Sequence, residues 1–157
     1  MSKSIRNRLK HDCPKGIERS NSPDPPFKHY MINKNIIKRA IQEASKSDVL
    51  RGKVGAVLFT DSGHIITSAH NSTFFGSTRF RTIHAEEALL NKSFKIKAIE
   101  RYGKNLNILV IRYKLGPQTL AMAKPCINCQ RVLDKTGFNI YYSNINKEIV
   151  KLNRKEK

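Results

Sequence analysis

Two short segments constrain this chain more than anything else in it: His84-Ala85-Glu86 and, further along, Pro125-Cys126-Ile127-Asn128-Cys129. Together they carry one imidazole, two thiols and a carboxylate that need not bind metal. One His and two thiolates can hold zinc and leave the fourth tetrahedral position open to water. Zinc held in this way lowers the pKa of that water toward neutrality, which makes hydroxide available at pH 7. Glu86, two residues past the His, is close enough to move that water's proton. A fold that uses these groups as one site must bring the two segments side by side.

Each half of the motif has a plainer reading. His-x-Glu is common by chance, and Cys-x-x-Cys could be a redox pair or half of a structural zinc knuckle. A structural zinc site is normally closed by a fourth Cys or His. The remaining cysteine, Cys13, lies far away in a Pro-rich stretch, and His11, His29, His64 and His70 are not paired with Cys at finger-like spacing. The open site is therefore the preferred reading.

The pattern of the chain gives the motif a structural context. Residues 1–30 read as a basic Pro- and Ser-rich tail, with Pro23-Asp24-Pro25-Pro26 near its end and no apolar period. Such a composition cannot bury enough surface to offset its ordering entropy. Residues 31–152 read as one domain, and 153–157 as a polar tail. Ile32, Ile36, Ile37, Ala40, Ile41 and Ala44 form one apolar stripe and predict a helix from Asn33 to Ser47. The continuous run Val54 to Phe59 predicts a strand covered on both faces. Asp61-Ser62-Gly63 marks a turn, and His64 to His70 a second strand paired with the first. Asn71 to Ile83 reads as a loop. A helix then opens at His84, with Thr82 as N-cap and acids in its first turn. Lys92 to Lys104 is a basic connector that extends this helix or follows it. Leu106 to Tyr113 is a third strand, and Lys114 to Lys124 a loop. Pro125 begins a helix that presents Cys126 and Cys129 on one face and ends near Gly137. Asn139 to Ser143 and Glu148 to Leu152 read as two further strands, the last at an edge. Both half-motifs thus fall at helix N-termini, whose dipoles favour thiolate over thiol.

With the paired motifs and this order of elements, the chain resembles the cytidine/deoxycytidylate deaminase superfamily, the broad group that includes tRNA adenosine deaminases and polynucleotide cytidine deaminases. The resemblance covers about residues 33–152. It implies an α/β fold, a three-layer α/β/α sandwich with a five-stranded mixed sheet and helices on both faces. It implies zinc on His84, Cys126 and Cys129, and Glu86 as the proton shuttle from water to the ring nitrogen and then to the leaving ammonia. The backbone N–H of Ala85 would meet the pyrimidine carbonyl, and Asn71 would contact the sugar or its phosphate. Asn71 as an ordinary turn residue is the alternative. An antiparallel last hairpin would resemble the free-nucleoside cytidine deaminases and some toxin deaminases. Two departures concern substrate: the loop from Ser72 to Ile83 carries three Phe and two Arg, and Lys114 to Lys124 separates the third strand from Pro125-Cys126.

Composition bears on partners. There are 30 Lys plus Arg against 12 Asp plus Glu in 157 residues, a net charge of +18. A field of this size attracts polyanions and makes binding salt-dependent. The excess lies in the termini, first helix and connectors, while 56–90 is near neutral. Phe74, Phe75 and Phe80, interleaved with Arg79 and Arg81, offer stacking and charge to unpaired bases; the alternative is that they pack beneath the loop. Lys, Asn and Ile richness also suits AT-biased codons, but Glu has not risen with Lys.

The expected reaction is hydrolytic removal of an exocyclic amine, with cytosine favoured over adenine. The substrate is expected as a nucleotide or single-stranded nucleic acid, with Phe74 and Arg79 among the contacts. The alternatives are a free cytidine or deoxycytidylate deaminase of pyrimidine salvage and a non-enzymatic RNA-binding or assembly subunit that keeps the fold. Homo-oligomers are common in the family. The chain has no apolar run for a membrane span and no signal-peptide core near Met1. Three cysteines, two of them committed to zinc, suit a reducing intracellular compartment, cytoplasmic or nuclear, with organellar import as the alternative.

Overall fold

The computed structural model describes residues 32–75 and 80–154. The chain starts with helix α1 (Lys34–Ser45), opened by Asn33, whose side chain accepts the backbone N–H of Asn35 at 2.9 Å. Strands β1 (Val54–Thr60) and β2 (Ile65–His70) follow as an antiparallel pair. A small separate hairpin comes next, β3 (Ser72–Phe75) and β4 (Phe80–Ile83). Helix α2 (Ala85–Lys95) leads to the short helix α3 (Ala98–Tyr102) and strand β5 (Leu106–Lys114). After β6 (Thr119–Ala121) come helix α4 (Ile127–Thr136) and strands β7 (Asn139–Ser143) and β8 (Ile149–Lys151).

The main sheet has the order β2-β1-β5-β7-β8, with β6 paired to β5 beside this path. It is mixed: β5 and β7 run parallel, and the other pairs are antiparallel. The apolar runs of β1 and β5 alternate between two cores, as a strand buried on both faces requires. Ala56, Leu58, Leu106, Ile108 and Val110 meet Leu89 and Leu90 of α2 and Leu133 of α4. Val57, Phe59, Leu109 and Ile111 meet Ile36 and Ala40 of α1. The result is the expected three-layer sandwich. Gly55 makes the α1 contact possible, because a Cβ there would fall 2.1 Å from the Ala40 carbonyl oxygen. No helix among the described residues is long and apolar enough to cross a membrane.

Four local expectations change. The loop from Asn71 to Ile83 is largely the β3–β4 hairpin, in which the register pairs Ser72 with Ile83. Thr82 consequently belongs to β4, and the N-cap of α2 is His84, whose side chain makes no capping bond. The stretch 114–124 is also a hairpin rather than a loop, with Thr119 to Ala121 against Lys114 to Arg112. Pro125 lies one residue before the N-cap of α4, which is Cys126. Gly137 caps α4 in the left-handed conformation, as anticipated (φ 76°). β8 pairs antiparallel to β7, also as anticipated.

Candidate metal centre

The two half-motifs meet because α2 and α4 lie on the same face of the sheet and begin at the same end of it. Each donor sits at or just after a helix start. His84 is the N-cap of α2, Cys126 is the N-cap of α4, and Cys129 is in the first turn of α4. The segment before Cys126 is fastened to the sheet. The Ala123 N–H donates to the Ser143 carbonyl at 2.8 Å, the buried Ser143 hydroxyl donates to the Ala121 carbonyl, and Gln130 Nε2 donates to the Pro125 carbonyl at 2.7 Å.

His84 Nδ1 lies 3.3 Å from Cys129 Sγ and 3.7 Å from Cys126 Sγ. The three donor atoms fall within 4.8 Å of one another. Tetrahedral zinc with N and S ligands requires donors separated by about 3.3–3.8 Å, which follows from bond lengths near 2.0–2.3 Å. The donor set therefore fits zinc, and it leaves one tetrahedral position without a protein donor. Among the described residues this is also the group whose ligand atoms converge in this way.

The electrostatics around the donors call for a cation. Burial pushes the Cys129 thiol well above its ordinary value, and Glu86, Cys126 and Glu87 push it the same way. A bound divalent cation reverses that balance, since a coordinating thiol deprotonates. Glu86 is 6% exposed. Burial raises its pKa above the ordinary carboxylate value, against the opposing effects of its own backbone N–H and the His84 ring. Glu87 points elsewhere, to an exposed ion pair with Arg81 at 2.8 Å.

Two cavities open on these donors, and both are lined by Thr82, His84, Glu86 and Cys126. One, of about 410 Å³, is a groove between α2 and α4 with Leu90, Phe94 and Val132 in its walls. The other, of about 380 Å³, lies over the ends of β1 and β5 and includes Asn71 and Ala85. The β3–β4 register explains how Asn71 comes there: Ser72 opposite Ile83 brings their neighbours Asn71 and His84 together. Asn71 is buried. Its Oδ1 accepts the Val54 N–H at 2.8 Å and its Nδ2 donates to the Gly52 carbonyl at 2.8 Å. Ala85 is fully buried at the first position of α2, where a backbone N–H has no partner within the helix.

The remaining sequence candidates are not gathered here. Phe74 is 51% exposed and lines neither cavity. Arg79 lies outside the described residues. The second cavity instead contains three cations that pattern reading missed, Arg51, Arg112 and Lys124. Their positions depend on strand pairing, Arg112 opposite Val54 and Ala121, and no short motif announces such a juxtaposition.

Residues 31–143 match the family model of the cytidine and deoxycytidylate deaminase zinc-binding region. No curated protein matches the chain in sequence. Among solved structures, the apo dCMP deaminase of cyanophage S-TIM5 is similar, with a TM-score of 0.54 and 22% identity over 71% of this chain and 82% of that one. The same phage enzyme in complex with dCMP and dUMP gives 0.53 and 21% over 71% and 80%. The cytidine deaminase of Burkholderia pseudomallei gives 0.55 and 18% over 78% and 92%.

Proposed function

The chain belongs to the cytidine and deoxycytidylate deaminase family of zinc-dependent hydrolases, and from this premise we propose that it deaminates a cytosine presented in a nucleotide or in single-stranded nucleic acid. One observation carries the reading: a nine-tenths-hidden carboxylate, Glu86, stands beside a complete His/Cys/Cys donor set at the floor of an open cavity. His84, Cys126 and Cys129 would hold the zinc. When bound, the metal supplies Lewis acidity that makes water a nucleophile near neutral pH.

The protein's groups then have defined tasks. Glu86, raised by burial, accepts a proton from the attacking water and hands it to the ring nitrogen. A second transfer through the same carboxyl gives the leaving amine its proton, so the C–N bond breaks with ammonia as product and a carbonyl as replacement. The Ala85 N–H donates to the pyrimidine carbonyl and fixes the ring's orientation. Asn71 has one amide proton and one lone pair beyond its bonds to Gly52 and Val54, and these serve the sugar. Exposed Phe74 in β3, with Arg79, would stack on a neighbouring unpaired base.

A second reading, a free cytidine or deoxycytidylate deaminase, is favoured by the antiparallel β7–β8 hairpin. A mass-spectrometric product screen of the zinc-loaded protein, with Glu86→Ala as blank, separates the two. A gain of about one dalton, the mass difference between an amine and a carbonyl, is expected on single-stranded DNA or RNA under the first reading. A gain on cytidine and dCMP with none on polymers would establish the second reading. No gain on any substrate by zinc-loaded protein would overturn both.

A further inference from the structure

The cavity that contains Asn71 has an unusual balance of charge. Its walls carry Arg51, Arg112 and Lys124, and among the described residues the single acidic side chain in them is Glu86 at the metal end. Arg112 stands near the end of β5, with its backbone held between Val54 of β1 and Ala121 of β6. Its backbone N–H is also directed to the Ser143 hydroxyl at 3.3 Å. Its guanidinium is laid against Gly52, where a Cβ would come 3.4 Å from Cζ, Nε and Nη2. Gly52 has φ +78°, a conformation that disfavours any side chain there. The same Gly52 offers its carbonyl to Asn71. Asn71, Gly52 and Arg112 therefore form one continuous wall.

Arg112 Nε is buried without a hydrogen-bond partner, the one such side-chain atom among the described residues. No carboxylate of the described residues lies in ion-pair range of Arg112, Arg51 or Lys124. Leaving a buried donor without a partner is costly, and more so when it is charged. A guanidinium that lines a cavity with its Nε shut in and no carboxylate partner is left to pair with an anion that the ligand brings. Guanidinium forks match phosphate oxygens in particular.

We propose that Arg112, assisted by Arg51 and Lys124, is the phosphate-recognition subsite for the substrate. This rests on the deaminase reading and deepens it: the base is held by Ala85 and Glu86, the sugar lies along Asn71, and the phosphate beyond it reaches Arg112. The substrate class is then a phosphorylated nucleotide, either free or as a link in a single strand, and unphosphorylated cytidine is a poor ligand.

Binding to zinc-loaded Glu86→Ala protein tests this by calorimetry, with three probes: cytidine, CMP and a short single-stranded oligonucleotide containing one internal cytosine. CMP or the oligonucleotide should bind at least tenfold more tightly than cytidine. Arg112→Gln placed in the same protein should erase that gap while cytidine binding stays within twofold, and Arg112→Lys should restore part of it. Arg51→Gln combined with Lys124→Gln, at exposed positions, should narrow the gap and serves where Arg112→Gln does not fold. A gap for CMP assigns the phosphate of a free nucleotide; a gap for the oligonucleotide alone assigns a backbone phosphate. Equal affinity for all three probes, including no binding by any, or a gap that survives both sets of substitutions, overturns the subsite. Turnover by the protein with Glu86 intact, measured in parallel, reports on the deaminase reading by itself.

Discussion

Two buried acids in this molecule sit in opposite circumstances. Glu43, in α1, is 3% exposed and surrounded by donors from its own helix and from β2. Ser68 Oγ donates to it at 2.9 Å, Lys46 Nζ at 2.9 Å, and His70 Nδ1 lies 3.0 Å away. Burial raises its pKa, but the bonds from His70, Lys46 and Ser68 and the Lys46 charge prevail and lower it to about 2. Glu86 is almost as hidden, yet burial prevails there and raises it. The first carboxylate is complete within the protein and fastens α1 to the edge of the sheet. The second has its own backbone N–H in place of such a ring of donors, and it stands beside three metal donors, where a perturbed pKa suits the proton transfer proposed for it.

This contrast is open to breakage at several points. Glu86→Ala should lower turnover by a factor of about 10² to 10⁴, the usual worth of a general acid–base group, while zinc content and thermal unfolding stay near those of the parent protein. Cys126→Ala or Cys129→Ala should cost metal and stability together. Zinc analysis alongside thermal unfolding checks this, and a metal-loaded variant as stable as the parent would mean that the ligands are misassigned. Glu43→Gln should lower stability by about 1–3 kcal/mol, the cost of leaving buried donors unmatched, with zinc content unchanged. Loss of zinc in that variant would show that the two clusters are coupled.

The smallest effect is in acid. Glu43 has a folded-state pKa of about 2 against an ordinary 4.5. Its contribution is therefore fully present above pH 4.5 and is lost as the pH falls from there toward 2. Unfolding midpoints of the parent protein and of Glu43→Gln should accordingly converge over that range, and curves that stay parallel would remove the ionised carboxylate from the explanation.

The pattern of the chain made the layers legible. A short apolar run such as Val54 to Phe59, bounded by turn signals, suits a strand with both faces covered, and the stripe from Ile36 to Ala44 suits a helix with one. The donors were legible too, because metal chemistry restricts both residue types and their spacing. The two hairpins, β3–β4 and β5–β6, were not, since pairing partners leave little trace in local composition. Phe74 illustrates the same limit from the other side: its sequence neighbourhood suggests a site residue, and it is exposed and lines neither cavity.

The sequence by itself determined the sandwich, the His84, Cys126 and Cys129 donors and the placement of Glu86 beside them, since hydrophobic period and ligand spacing are local properties. Tertiary structure alone decided that Asn71 lies beside His84, that Glu43 gathers Ser68, Lys46 and His70 around it, and that Arg112 comes to rest against Gly52 with a buried donor unmet. Each of these depends on strand register, and register is settled by long-range pairing and burial rather than by the residues on either side.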